Sequence, residues 1–174
     1  EDEELQKILS DSEMRIHTMA LIHEQLYQTE SLSEISVENY IRELIGLIKD
    51  IHDPEDRISI NIKCDDIGLN INQAVPCAMI VNELISNSFE HAFEDSGQGE
   101  IKFSITDDNG TIDMQVHDNG CGLPSGFNPD STSTLGFTLI NTLVQQLEAE
   151  IDIESNEGTS IAITFDKANV KGSS

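Results

Sequence analysis

The sequence predicts an α+β protein: a two-layer α/β sandwich with helices on one face of a mixed β-sheet, preceded by one or two further helices. Three observations carry this expectation. Apolar residues recur at three- and four-residue steps through the first fifty residues, and the pattern changes to period two after Pro54. From there strand-like and helix-like segments follow in the order β-α-β-β-α-β-β, which packs helices against a sheet rather than against one another. The hydrophobic fraction of 37% is low for a globular domain, yet it falls in periodic blocks, as a folded chain requires.

From Leu5 to Tyr27 the residues Leu5, Ile8, Leu9, Ile16, Met19, Ala20, Ile22, Leu26 and Tyr27 mark one long amphipathic helix without Pro or Gly. Ser31, Ser33 and Ser36 interrupt it. Ser36, followed by Asn39, is a suitable cap for a second helix through Tyr40, Leu44, Leu47 and Ile51, which His52-Asp53-Pro54 ends. The strand Ile58–Ile62 alternates strictly, and a helix over 72–93, opened by Asn72, follows. Strands Ile101–Thr106 and Thr111–Val116 flank Asp107-Asp108-Asn109-Gly110, whose Asn-Gly suits a tight hairpin. Residues 119–134 are rich in Gly, Pro, Asn, Ser and Thr and read as a long loop of the kind that forms binding loops and lids. A helix over 135–147, strands over 149–155 and 159–165, and a tail over 168–174 complete the chain. The expected division is therefore 1–53, 54–167 and 168–174.

Charge narrows the function. Nine Lys and Arg stand against 33 Asp and Glu, a formal net charge of −24. Such a chain repels a nucleic-acid backbone and an anionic membrane surface. No apolar run approaches the roughly 18 residues of a membrane span, and Glu1-Asp2-Glu3-Glu4 suggests a piece of a longer protein. Cys64, Cys77 and Cys121, an odd number widely spaced, fit a reducing compartment better than a disulfide framework or a metal site. The five histidines form no HExxH pair, and neither a P-loop nor a GxSxG elbow occurs.

Three segments carry chemistry. On the helix 72–93, Glu83, Ser86, Asn87, Glu90 and Glu94 share one polar stripe opposite Val81, Leu84, Ile85 and Ala92; taken alone this is a solvated face. Asp118-Asn119-Gly120-Cys121-Gly122 follows a strand, giving a fixed carboxylate and two positions where backbone approaches a flat ligand without a Cβ. Ser131-Thr132-Ser133-Thr134-Leu135-Gly136-Phe137 runs into a helix N-terminus, where free N–H groups and the helix dipole favour phosphate. Together they describe a pocket for an adenine, a divalent cation and a phosphate tail.

These segments resemble those of a known family. Asn82–Phe93 looks like the N box of the sensor histidine kinases of two-component systems, Asp118–Gly122 like their G1 box and Thr134–Leu139 like their G2 box. Upstream, Arg15–Tyr27, Leu32–Ile35 and Tyr40–Leu44 resemble the dimerisation region of the subfamily near the HWE kinases. The resemblance runs from about Arg15 to Phe165. It implies a Bergerat-type ATP-binding domain, shared with gyrase, Hsp90 and MutL, behind the distal helices of a dimerisation and phosphoacceptor domain.

Carried over by position, the resemblance makes Asn87 the Mg²⁺ ligand and Asp118 the acceptor for the adenine amino group. Gly120, Gly122 and Leu123 lie beside the base. Ser133, Thr134, Leu135, Gly136 and Phe137 lie at the phosphate turn, and Thr159, behind Gly158, belongs to a Gly-Thr element near the adenine. The 123–135 stretch corresponds to the lid. Glu83 takes the place at which related ATPases hold a water-activating carboxylate. Two departures stand out. No histidine with the family's following Arg and Asn-Asn pair is present; His17 and His23 fall in the second helix of the pattern and are expected to be interface or core residues. Glu90 replaces a Lys that faces the phosphates in close relatives, and Lys102 is the only basic residue between Cys64 and Phe165. Phosphate charge is thus left to Mg²⁺, helix N–H groups, Ser133, Thr134, Thr159 and His91.

The function implied is the catalytic portion of a histidine kinase, transferring the γ-phosphoryl of Mg-ATP to a histidine outside these residues for relay to a response-regulator aspartate. A homodimer in the full-length protein and a cytoplasmic location are implied with it, the parent being free to attach to a membrane that these residues do not touch. Two other readings are a degenerate module kept for nucleotide binding or dimerisation, and an anti-sigma-type serine kinase. The helices before Pro54 argue against the second.

Overall fold

The computed structural model describes residues 2–28, 35–53, 55–93, 97–124, 127 and 134–168. Helix α1, Asp2–Gln28, is the long first helix that the periodicity predicts. A two-residue strand β1, Ile35–Ser36, leads into helix α2, Val37–His52. Along α2 the residues Val37, Tyr40, Ile41, Leu44, Ile45 and Ile48 are all buried, a stripe at the spacing of one helix face. Ser36 occupies the cap position, as expected, but its side chain makes no cap hydrogen bond. The Val37 N–H donates instead to the Ile67 carbonyl at 2.9 Å. At the other end the Asp53 N–H closes on the Lys49 carbonyl at 2.8 Å, and the Asp53 carboxylate accepts from the Ile58 N–H at 2.6 Å.

Strand β2, Ile58–Cys64, alternates in burial as its sequence predicts. A short strand β3, Gly68–Leu69, pairs antiparallel with β1, Ile35 facing Leu69 and Ser36 facing Gly68. Neither β1 nor β3 is foreseen from the sequence, because two residues carry no period. Helix α3, Ile71–His91, starts from Asn70, whose side chain accepts from the Gln73 N–H at 3.1 Å. The expected opening at Asn72 is thereby corrected: the cap acts on the third helical N–H, which puts it three residues before Gln73.

Strands β4 (Gly99–Asp108), β5 (Thr111–Asp118), β6 (Glu150–Glu154) and β7 (Thr159–Asp166) complete a five-stranded sheet in the order β2-β4-β5-β7-β6. The β2–β4 pairing is parallel and the other three are antiparallel, so the sheet is mixed, with α3 as the crossover between β2 and β4. Asn109 (φ 55°) and Gly110 (φ 93°) form the hairpin turn between β4 and β5, as Asn-Gly does when both residues take positive φ. Helix α4, Leu135–Gln146, precedes β6.

Ile101, Phe103 and Ile105 of β4, Ile112, Met114 and Val116 of β5, and Ile161, Ile163 and Phe165 of β7 are buried on one face of the sheet, while their alternate neighbours are half-buried or exposed. The inward residues form a single hydrophobic core with the buried faces of α2, α3 and α4. α2, on the N-terminal side of the division expected near residue 53, shares this core. Helix α3 is enclosed by α1, α2, α4 and β5. No helix among the described residues is long and apolar enough to cross a membrane.

Candidate functional site

The site begins where β5 ends. Asp118 lies opposite Thr159 in the β5–β7 ladder and is 3% exposed. Its Oδ1 accepts from the N–H groups of Gly120 (3.1 Å) and Thr159 (3.2 Å), and its Oδ2 accepts from the Ser88 hydroxyl (3.1 Å). Two ionised oxygens offer about four acceptor positions, so one remains for a ligand donor. The neighbouring glycines are steric requirements. Gly158 (φ 91°) lies so close that a Cβ would overlap the Asp118 carbonyl, and a Cβ on Gly120 would overlap the carbonyl of Ala92, which accepts from the Cys121 N–H at 2.9 Å. Thus the G1 loop lies flat against the end of α3 and against the Gly158 turn. Beyond it, the Leu123 N–H donates to the Ser155 hydroxyl at 2.8 Å.

Helix α3 supplies the second wall with Glu83, Asn87, Ser88, Glu90 and His91. The third wall is the N-terminus of α4. Thr134 occupies the cap position with extended backbone but makes no side-chain cap hydrogen bond, and the first-turn N–H groups that follow are those a helix leaves without internal partners. A Cβ on Gly136 would stand 3.0 Å from Oε2 of Glu83 and 3.9 Å from Oδ1 of Asn87, so α4 approaches these two side chains as closely as glycine allows. Phe127 packs edge-on against Phe137 with ring centroids 5.1 Å apart, and both rings line the cleft. The enclosed cleft has a volume of about 710 Å³, within the range of small-molecule sites.

Of the residues predicted from sequence, Glu83, Asn87, His91, Asp118, Gly122, Leu123, Thr134, Leu135, Gly136, Phe137 and Thr159 line this one cleft. Gly120 stands behind it, supporting the turn. Ser133 lies outside the described residues, as do Pro54, Glu94 and most of 125–133.

The polar stripe of α3 is not a solvated face. Asn82 is 3% and Glu83 6% exposed because α1 covers them with polar groups of its own. Arg15 donates from Nε to Oε1 of Glu83 at 2.8 Å and from Nη2 to Oε2 at 2.9 Å, a bidentate pair. Thr18, fully buried, donates to the Met14 carbonyl and reaches Oδ1 of Asn82 at 3.3 Å; the Tyr40 hydroxyl of α2 donates to the Thr18 carbonyl at 3.2 Å. Arg15, Ser88 and Phe127 are site residues that sequence reasoning missed. Arg15 is the one arginine or lysine among the described residues lining the cleft, where Glu83, Glu90 and Asp118 supply negative charge. His17 is exposed on α1, and the side chain of His23 lies outside the described residues.

A metal held wholly by protein side chains finds no support: among the described residues no group of three His, Cys, Asp or Glu side chains converges. The amide oxygen of Asn87 does fit a Mg²⁺ bound mainly through phosphates, since that ion takes one or two protein ligands and keeps its remaining positions for nucleotide and water.

Residues 1–52 match the family described as "Histidine kinase" and residues 72–169 the family described as "Histidine kinase-, DNA gyrase B-, and HSP90-like ATPase". The sensor histidine kinase PdtaS of Mycobacterium tuberculosis is 30% identical over 146 residues, 83% of this chain and 28% of that protein. The blue-light-activated histidine kinase 2 of Erythrobacter litoralis is 26% identical over 128 residues, 73% of this chain and 36% of that protein. The histidine kinase domain of the Erythrobacter litoralis EL346 blue-light activated histidine kinase shares the fold, with a TM-score of 0.83 at 22% identity over 90% of this chain and 75% of that one. The chain therefore spans about a third of the length of these two kinases, and it belongs to the histidine kinase-, DNA gyrase B- and HSP90-like ATPases, with a histidine-kinase helical region ahead of its ATP-binding domain.

Proposed function

We propose that this chain is the part of a sensor histidine kinase that binds Mg-ATP and presents its γ-phosphoryl to a histidine carried elsewhere in the parent protein, from which a response-regulator aspartate takes it. The observation that supports this best is the convergence on one cleft of a buried, almost saturated carboxylate, an amide oxygen and an open helix N-terminus. Asp118 offers its remaining acceptor position to the exocyclic amine of adenine. Gly120 and Gly122 let the base approach the backbone. The N-terminal turn of α4, from Thr134 through Gly136, receives the phosphates, and Asn87 takes the Mg²⁺, which neutralises phosphate charge when bound.

Phosphoryl transfer asks mainly for positioning and charge stabilisation. The protein's contribution is accordingly to hold nucleotide in a fixed orientation and to shield it. Glu83 is engaged by Arg15 at both oxygens in this arrangement, which assigns it a structural part here; action on a reacting group would require Arg15 to withdraw. We place the parent protein in the cytoplasm or on its cytoplasmic face, acting as a homodimer, with residues up to 53 joining the dimerisation region to the ATP-binding unit.

Calorimetric titration of this chain with ATP, in Mg²⁺ and in EDTA, tests the reading, together with incubation in γ-labelled ATP. Binding that is tighter in Mg²⁺, with no label retained on the chain, is expected. Absence of ATP binding in Mg²⁺, or stable label on this chain, overturns it.

A further inference from the structure

The sequence leaves the phosphate tail without a cationic side chain: Glu90 stands where a lysine is expected, and Lys102, the only Lys or Arg between Cys64 and Phe165, is exposed on β4 and paired with Glu100 at 3.2 Å. The structure brings one from a different part of the chain. Arg15 lies 68 positions from Glu83, on α1, and its guanidinium and the Glu83 carboxylate are 15% and 7% exposed. The same carboxylate is the group closest to Gly136 at the N-terminal turn of α4, with the Asn87 amide next to it. Arg15 is thus at the end of the cleft where the helix dipole favours an anion. It is also held there: Thr18, one turn along α1, is tied to Asn82 and to Tyr40.

A guanidinium binds carboxylate and phosphate with the same two-point geometry. We infer that Arg15 is the cationic contact for the nucleotide's phosphate tail, Glu83 holding its guanidinium in readiness and yielding it when phosphates enter, so that docking of α1 on α3 completes the ATP site. This rests on the ATP-binding reading above. It makes affinity for the phosphates, but not for the adenosine end, a property of the helical region that precedes the ATP-binding domain. The recognition is for a polyphosphate: the adenine end is read by Asp118, on the far side of the cleft, and owes nothing to Arg15.

The test uses four forms of this chain: unaltered, Arg15→Gln, Glu83→Gln and the double Arg15→Gln/Glu83→Gln. Single loss of Arg15 leaves a buried carboxylate without its partner and can unfold the chain, whereas the double variant removes both charges together. Circular dichroism establishes folding, and calorimetry measures Mg-ATP and adenosine separately. Glu83→Gln, which removes the carboxylate charge that competes with phosphate for Arg15, is expected to bind Mg-ATP at least as tightly as the unaltered chain. The double variant should bind it about tenfold or more weakly than Glu83→Gln, as loss of a charged hydrogen-bond pair requires, with adenosine affinity the same in both. Equal Mg-ATP affinity in Glu83→Gln and the double variant overturns the inference while leaving the nucleotide site standing. Absence of both adenosine and ATP binding in the unaltered chain overturns the nucleotide reading and this inference with it.

Discussion

Replacing Asp118 by Asn separates the task that carboxylate has in the structure, holding the loop together, from the one proposed for it, reading the base. In the structure Oδ1 accepts two N–H donors, from Gly120 and Thr159, and Oδ2 faces a hydroxyl, that of Ser88. An asparagine has one orientation that keeps the loop: its carbonyl oxygen must take the place of Oδ1, because a second N–H donor could not face two backbone N–H groups. The NH₂ then takes the place of Oδ2, where the Ser88 hydroxyl can rotate and accept from it. The loop loses charge assistance in its hydrogen bonds but no partner, so the fold should weaken by only about 1–2 kcal/mol, a drop of roughly 2–8 °C in the unfolding midpoint for a chain of this size. For adenine the change is larger. Its amino group meets a donor instead of an acceptor, which removes a charged hydrogen bond worth about 1.5–3 kcal/mol and leaves one donor unpaired. That corresponds to about 10- to 100-fold weaker binding, and more if the unpaired donor is fully desolvated. ATP, ADP and adenosine should suffer alike. Guanine presents a carbonyl oxygen in place of the amine, so the ratio of GTP to ATP affinity should rise in the variant. Calorimetry with the four ligands and a thermal melt decide the matter. Unchanged ATP affinity in a folded Asp118→Asn variant would refute the assignment of Asp118 to the base, and collapse of the fold would refute the hydrogen-bond orientation argued here.

Glu90, 19% exposed at its side chain, lines the cleft, so Glu90→Lys reverses a charge beside the expected phosphate path; Mg-ATP binding about tenfold tighter, with less dependence on Mg²⁺, is the expected calorimetric result, and unchanged or weaker binding counts against the geometry. Leu44, fully buried on α2, belongs to the core shared with α3; Leu44→Ala should cost about 2–5 kcal/mol in denaturant unfolding, whereas a loss below about 1 kcal/mol would mean that α2 is peripheral to that core. The thiols should differ in reactivity toward a disulfide reagent. Burial pushes Cys77 up to about 12 and, as the largest influence, raises half-buried Cys64 to about 11, so neither supplies appreciable thiolate at pH 8 and both gain reactivity only as pH rises toward those values. Exposed Cys121, on the cleft wall, should react first, and Mg-ATP should slow it; a fast second thiol at pH 8 contradicts the packing around Cys77 and Cys64.

Much of this architecture is legible in the sequence because most elements are long enough to show a period. The nine inward residues that alternate along β4, β5 and β7, and the α2 stripe from Val37 to Ile48, announce both their class and their buried face. Asp118 is legible as a fixed carboxylate after a strand, but Asp followed by glycines is ordinary turn chemistry, and it points to a site only together with the α3 stripe and the segment 131–137. What periodicity does not carry is the identity of the covering partner. Glu83 reads as part of a solvated stripe because it is polar, yet polar residues of α1 bury it together with the adjacent Asn82; only the fold brings Arg15 and Thr18 to that face. Ser88 is hidden for a related reason. Its partner, 30 positions away, is known only once β5 is in place. Asn70 and Asn72 are both good caps, and only the hydrogen bond to Gln73 distinguishes them.

The pairing of Ile35–Ser36 with Gly68–Leu69 has a mechanical consequence. It lies at the point where the chain passes from α1 to α2, and the Val37 N–H bond to Ile67 extends it into the helix. This clasp ties the residues just before α2 to those just before α3, so a pull on the start of α2 is opposed by the β1–β3 hydrogen bonds as well as by the packing of α2. The contact of α1 with the candidate cleft is made through side chains at the face of α3, apart from this clasp.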